Sequence, residues 1–149
     1  MDVIRRNTDY AVRLVVHLAK HYGNEPISTR ASSVEEHVPY QLACKLMQKL
    51  NNAKLVTSCM GPRGGFVLAA EPSKISLLDV VEAIQGSINM NRCLLSDDTC
   101  PKRTTCAVRG KLASLQKNIN SGLAGITLDE LAPKGPKNKK VRNTKRRKQ

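Results

Sequence analysis

The chain has five cysteines, and three of them, Cys93, Cys100 and Cys106, sit in the stretch RCLLSDDTCPKRTTC. Thiols this close together, in a polar loop too poor in apolar residues to form a core, suit four uses: disulfide pairing, metal ligation, a redox relay or incidental packing. The N-terminal MDVIRRNTDY lacks the apolar stretch of a secretory signal, and no run approaches the roughly 18 apolar residues of a membrane span. The expected location is therefore the cytoplasm, without a membrane partner, where thiols stay reduced and a disulfide framework is disfavoured. The spacing C-x6-C-x5-C has no close knuckle pair of the kind that zinc ribbons use. A wide, glycine-poor loop suits a larger object. Iron–sulfur clusters are held by thiolates, so three cysteines of one loop and one outside ligand would suffice. Arg92, Lys102 and Arg103, set against Asp97 and Asp98, would favour the thiolate form.

The elements that position this loop can be read from hydrophobic spacing. In NTDYAVRLVVHLAKHYGN, Ala11, Leu14, Val15, Leu18 and Ala19 share one helical face, with Asn7-Thr8 as a capping pair and Gly23 as the stop. STRASSVEEH is a short second helix, capped by Ser28 and offering Val34 as its apolar contact. After a turn at His37-Val38, Pro39 opens PYQLACKLMQKLNNAKL, whose Leu42, Leu46, Met47 and Leu50 form an inward stripe. Gln41, Lys45, Gln48 and Lys49 then face outward. Two short helices joined by a tight turn, the second displaying long hydrogen-bonding side chains, meet the needs of a helix-turn-helix.

Leu55-Val56 and Phe66-Val67-Leu68 read as strands flanking the hairpin tip GPRGG. A helix pair followed by a hairpin is the layout of a winged helix, with Arg63 and Gly64 at the wing tip placed to approach phosphate or a minor groove. A further helix, SKISLLDVVEAIQGS, has Ser76 and Asp79 as a capping box, Leu77, Val80, Val81 and Ile84 as core candidates, and Gly86 as its end. Beyond the cysteines, Val108, Leu112, Leu115 and Ile119 form a narrow seam at coiled-coil spacing, best explained by pairing with a second copy. The alternative is packing back on its own domain. Thr127 and Glu130 offer another capping box in ITLDEL.

With no Trp and only Tyr10, Tyr22, Tyr40 and Phe66 as aromatics, the core must be aliphatic, and an aromatic-lined catalytic pocket is not expected. The net charge of +13 is unevenly placed: KGPKNKKVRNTKRRKQ at 134–149 holds nine Lys/Arg and no acid, which leaves 1–133 at +4. That tail has one apolar residue and is expected to be disordered, serving as a solubilising end or as a sequence-blind, salt-dependent phosphate contact.

TDYAVR on the first helix, GPRGGF in the wing, SLLDVVEAI, a three-cysteine loop, a seam helix and a closing ITLDEL, in this order, resemble the Rrf-type winged helix-turn-helix transcriptional regulators. The resemblance spans about residues 3–133 and includes the iron–sulfur cluster assembly regulator and the nitric-oxide-sensing repressor. It implies a mainly α fold with a small β-hairpin wing. A winged helix-turn-helix domain occupies 1–86, a cluster-binding loop 87–106, a dimerisation helix and closing short helix 107–133, and a basic tail 134–149. It implies a homodimer that binds double-stranded operator DNA, is not an enzyme, and is switched by an iron–sulfur cluster, 4Fe–4S in preference to 2Fe–2S.

In the cluster-assembly regulator, a histidine three residues after the third cysteine completes the ligand set; here Arg109 stands there and cannot ligate. In the nitric-oxide sensors, an aspartate of a TD pair on the first helix supplies the fourth ligand from the partner subunit, and Thr8-Asp9 matches it. The cluster ligands implied are therefore Cys93, Cys100, Cys106 and Asp9, and an oxygen donor beside three thiolates leaves one iron open to nitric oxide or oxygen. The DNA-contacting residues implied are Ser28, Pro39, Tyr40, Gln41, Lys45, Lys49, Arg63 and Gly64.

Cys44 stands where the cluster-assembly regulator has a glutamate that discriminates operators, and Met60 where the family's wing usually begins with Arg. Cys44 and Cys59 read as small apolar packing residues. His17 and His21, four apart on the first helix, could form a metal face but read rather as solvent-facing. The expected function is a repressor whose operator binding responds to nitric oxide, to oxygen or redox state, or to iron and cluster supply. Two rivals remain: a cluster-free regulator using its cysteines as a thiol sensor or partner-docking site, and a small iron–sulfur redox protein.

Overall fold

The computed structural model describes residues 2–95 and 100–132; Asp97, Asp98 and the basic tail at 134–149 lie outside the described residues. The first helix, α1, runs Arg6–Lys20 and buries Ala11, Leu14, Val15, Leu18 and Ala19 on one face. It starts earlier than the sequence suggests. Arg5 is the cap residue, while Thr8 is fully buried in the first turn, with its hydroxyl donating to Gln85 Oε1 (2.7 Å) rather than capping. The helix also ends at Lys20, short of Gly23, with His21 as its C-cap.

Helix α2, Thr29–Glu35, is capped as expected: Ser28 Oγ accepts from Ala31 N (3.1 Å). Its inward face is Ser32 and Ser33, whereas Val34 is 69% exposed, so the expected apolar contact does not form. A seven-residue helix that buries serines is held by its neighbours and not by its own apolar face. The turn into α3 places His37 in the left-handed region (φ 52°) and leaves Pro39 as the cap of α3, Tyr40–Asn52. Ala43, Leu46, Met47 and Leu50 are buried, and Leu42 is half-buried at the edge of that face.

The wing is an antiparallel hairpin of β1, Val56–Cys59, and β2, Gly65–Leu68, with Val56 opposite Leu68 and Cys59 opposite Gly65. Leu55 lies just outside it. Ile27 adds a third rung through paired backbone bonds with Phe66 (3.1 and 2.8 Å), which ties the wing to the segment before α2. Gly65 is required there, because a Cβ would collide with the Ile27 carbonyl.

Helix α4, Leu77–Gln85, carries the full Ser76–Asp79 capping box and ends at Gly86 (φ 79°). Val80 and Val81 are buried, while Leu77 and Ile84 are only half-buried. Helix α5, Ala107–Gly125, has no buried residue. The chain then returns to the first core. Leu77 N donates to Ile126 O and Leu128 N to Ile75 O, and Leu128, on the short α6 (Leu128–Leu131), is fully buried in the cluster with Leu14, Met47 and Leu50. The Thr127 hydroxyl makes no backbone cap; it turns instead to Asp129 Oδ1 (2.6 Å), so the second capping box does not form.

Candidate nucleic-acid interface and cysteine loop

The outward row on α3 is as its spacing demands: Gln41, Lys45, Gln48 and Lys49 are all exposed, one helical face away from the buried stripe. Cys44 is half-buried at the boundary. At the start of α3 the ring of Tyr40 lies 4.4 Å beneath the guanidinium of Arg30, a cation–π contact that fixes both side chains on the outer surface of the α2–α3 pair. Arg30 was not singled out from the sequence. The pairing crosses the turn and has no periodic signature. Ser28 and Pro39 are the N-cap residues of α2 and α3.

At the wing tip, Gly61 adopts φ +113° and Gly64 has no room for a Cβ between the Cys59 and Gly61 carbonyls, so the turn is built for glycine. Arg63 Nη1 lies 3.6 Å from Glu25 Oε1, with both side chains more than three-quarters exposed. Such a pair is worth at most about 1 kcal/mol, so Arg63 can exchange Glu25 for a phosphate at little cost.

The cysteine loop is anchored at two points. Arg109 Nε donates to Cys93 O (3.1 Å), in the middle of a short 3-10 turn at Arg92–Leu94. Met90 N, just before that turn, donates to Gln116 Oε1 (2.8 Å), so both bonds tie the segment to α5. Cys93, Cys100 and Cys106 are free thiols and half-buried. Among the described residues no three His, Cys, Asp or Glu side chains converge as a metal-holding group. Asp9 is half-exposed and ion-paired with Arg13 one turn on (2.7 Å).

Gln85, at the end of α4, ties the base of α1 to this region. Its Oε1 accepts from Arg5 N (3.0 Å) and the Thr8 hydroxyl, and its Nε2 donates to Val3 O (2.9 Å). No periodicity or motif marks this three-way knot, because its partners lie about eighty residues apart. His17 also differs from expectation: it is 7% exposed, wedged between α1 and α2 with Nδ1 3.4 Å from Glu36 Oε1, and its ring leans on His21. Burial lowers its pKa, helped by His21 and opposed by Glu36.

Comparison with known proteins agrees with this layout. A family model described as "Rrf2: Iron-dependent Transcriptional regulator" matches residues 4–134. The chain is 33% identical over 122 residues to the HTH-type transcriptional regulator IscR of Vibrio atlanticus, covering 82% of this chain and 70% of that one. It is 31% identical over 132 residues to the HTH-type transcriptional repressor NsrR of Streptomyces coelicolor, covering 87% and 88%. Among solved structures, CymR, the global cysteine regulator of B. subtilis, superposes with a TM-score of 0.75 at 26% identity over 89% of this chain and 97% of that one. The α3 row, the wing and these relatives describe a DNA-binding transcription regulator and not an enzyme: the chain belongs to the Rrf2 family.

Proposed function

We propose that the protein is a homodimeric repressor whose operator binding is switched by an iron–sulfur cluster, 4Fe–4S in preference to 2Fe–2S, held by Cys93, Cys100 and Cys106 with Asp9 of the partner subunit. The observation that carries this is a loop of three free, half-buried thiols whose first member is tied through Arg109 to α5. The donor chemistry fits the group, since thiolates are the usual ligands of such clusters. On this reading the three thiolates come from one chain and the fourth donor from its partner. When bound, the cluster supplies an iron centre that reacts with nitric oxide or oxygen.

The protein's own residues do the rest. Val108 and Leu115 leave an exposed apolar seam on α5 for a second copy. Gln41, Lys45, Gln48 and Lys49 enter the major groove, with Tyr40, Ser28, Pro39, Arg63 and Gly64 at the backbone and the wing. Any change in the loop's posture reaches α5 through Arg109 and Gln116, passes to α4, and continues through Gln85 to the base of α1, whose buried face packs on α3. The test is anaerobic purification with iron and sulfide analysis. The account expects both elements in the wild type, and their loss in Cys93→Ala, Cys100→Ala and Cys106→Ala with the fold retained.

A second reading has its own support. The likeness to a regulator described as a cysteine regulator favours a cluster-free thiol sensor. Such a protein would carry neither iron nor sulfide, yet lose its response when the cysteines are replaced.

A further inference from the structure

We infer that Met60 is an apolar wedge through which the wing deforms the minor groove of bound DNA. This rests on the DNA-binding reading of the winged helix and names a residue that the reading leaves unused. Met60 is 96% exposed, the most exposed large apolar side chain among the described residues. It follows the last residue of β1 and precedes Gly61, whose φ of +113° only glycine adopts freely. The hairpin carrying it is held on both sides: by its own strand pairing and by the Ile27–Phe66 bridge, with Gly64 and Gly65 packed too closely for any side chain. An unbranched apolar side chain is thus presented to solvent by a stiff turn.

The neighbouring charges select the partner. Arg63 lies in the same tip, and its exposed 3.6 Å pair with Glu25 is weak enough for a phosphate to take Glu25's place. A partner protein would gain little from one isolated methionine. Minor-groove proteins, by contrast, insert Met, Leu, Ile, Phe or Pro at a base step and unstack it, and the bend that results brings more of the protein onto the backbone. On this chain the added backbone cation is Lys49, in the last turn of α3, which leads into the wing. A Met wedge also prefers flexible pyrimidine–purine steps, giving the wing a sequence preference without hydrogen bonds to bases.

The experiment uses the full-length protein and a duplex that it selects from a randomised pool, with 2-aminopurine placed in turn at each step flanking the major-groove contacts. Wild type is expected to raise 2-aminopurine fluorescence at one step per protomer and to bend the duplex in a circular-permutation assay. Met60→Ala should abolish both and bind about five- to tenfold more weakly. Met60→Leu should restore both, and Met60→Arg should regain affinity with a steeper salt dependence but no unstacking. Met60→Ala that bends and unstacks like wild type, or wild type that unstacks no step, overturns the wedge. Lys45→Ala separates this from failure of the parent reading: if it leaves DNA binding intact, the α3 interface is wrong regardless of Met60.

Discussion

The winged-helix half and the cysteine-loop half are stabilised in opposite ways. In the first, Leu14, Val15, Met47 and Leu50 have essentially no solvent exposure and meet Leu128 from the far end of the chain. In the second, α5 runs nineteen residues without burying one, and Val108 and Leu115 stand 65% and 49% exposed. A helix so thinly covered is marginal by itself. One half is specified by its own packing; the other, on the proposed reading, is completed by a second chain and by metal. That division suits a sensor, because a region held only by its ligands can change posture without unfolding the DNA-reading domain.

The largest contrast is in the cores. Leu14→Ala should destabilise the fold by about 2–5 kcal/mol, read as a shift in denaturation midpoint. Val108→Asp with Leu115→Asp should leave the monomer folded but abolish dimerisation in sedimentation, and a dimeric double variant would show that α5 packs back on its own domain. Next in size is the capping box: Ser76→Ala should cost about 1 kcal/mol, whereas Thr127→Ala, which removes no backbone cap, should cost less. In DNA binding, Lys49→Ala should lower the slope of log affinity against log salt by about 1 per protomer.

The smallest effect is with pH. His17 has a folded pKa below its ordinary 6.5, so protons favour the unfolded chain; stability is full above that value and declines as pH falls from there through the lowered pKa. His17→Gln should flatten that limb of the pH–stability profile.

Much of this architecture is legible in the sequence because it rests on periodicity. The α1 and α3 stripes, the hairpin around GPRGG, the Ser28 cap and the Ser76–Asp79 box all follow from spacing. What escaped it is tertiary in origin. Thr8 looks like a cap but is drawn into the helix by Gln85, seventy-seven residues away. Val34 looks like the anchor of α2, yet Ser32 and Ser33 face inward. His17 looks solvent-facing until Glu36 closes over it, and Arg30 becomes part of the surface only because the turn sets it on Tyr40. The three cysteines are the plainest signal in the chain, yet among the described residues they do not form a metal-holding group.

The most direct test of the central claim is a DNA-binding titration of the anaerobically prepared protein before and after its iron is stripped by a chelator, with Cys100→Ala alongside. The account predicts that iron-loaded and stripped wild type differ in operator affinity by about tenfold or more, an allosteric coupling of ordinary size, and that Cys100→Ala behaves as the stripped form in both arms. Iron-loaded and stripped protein binding the operator with the same affinity would contradict it.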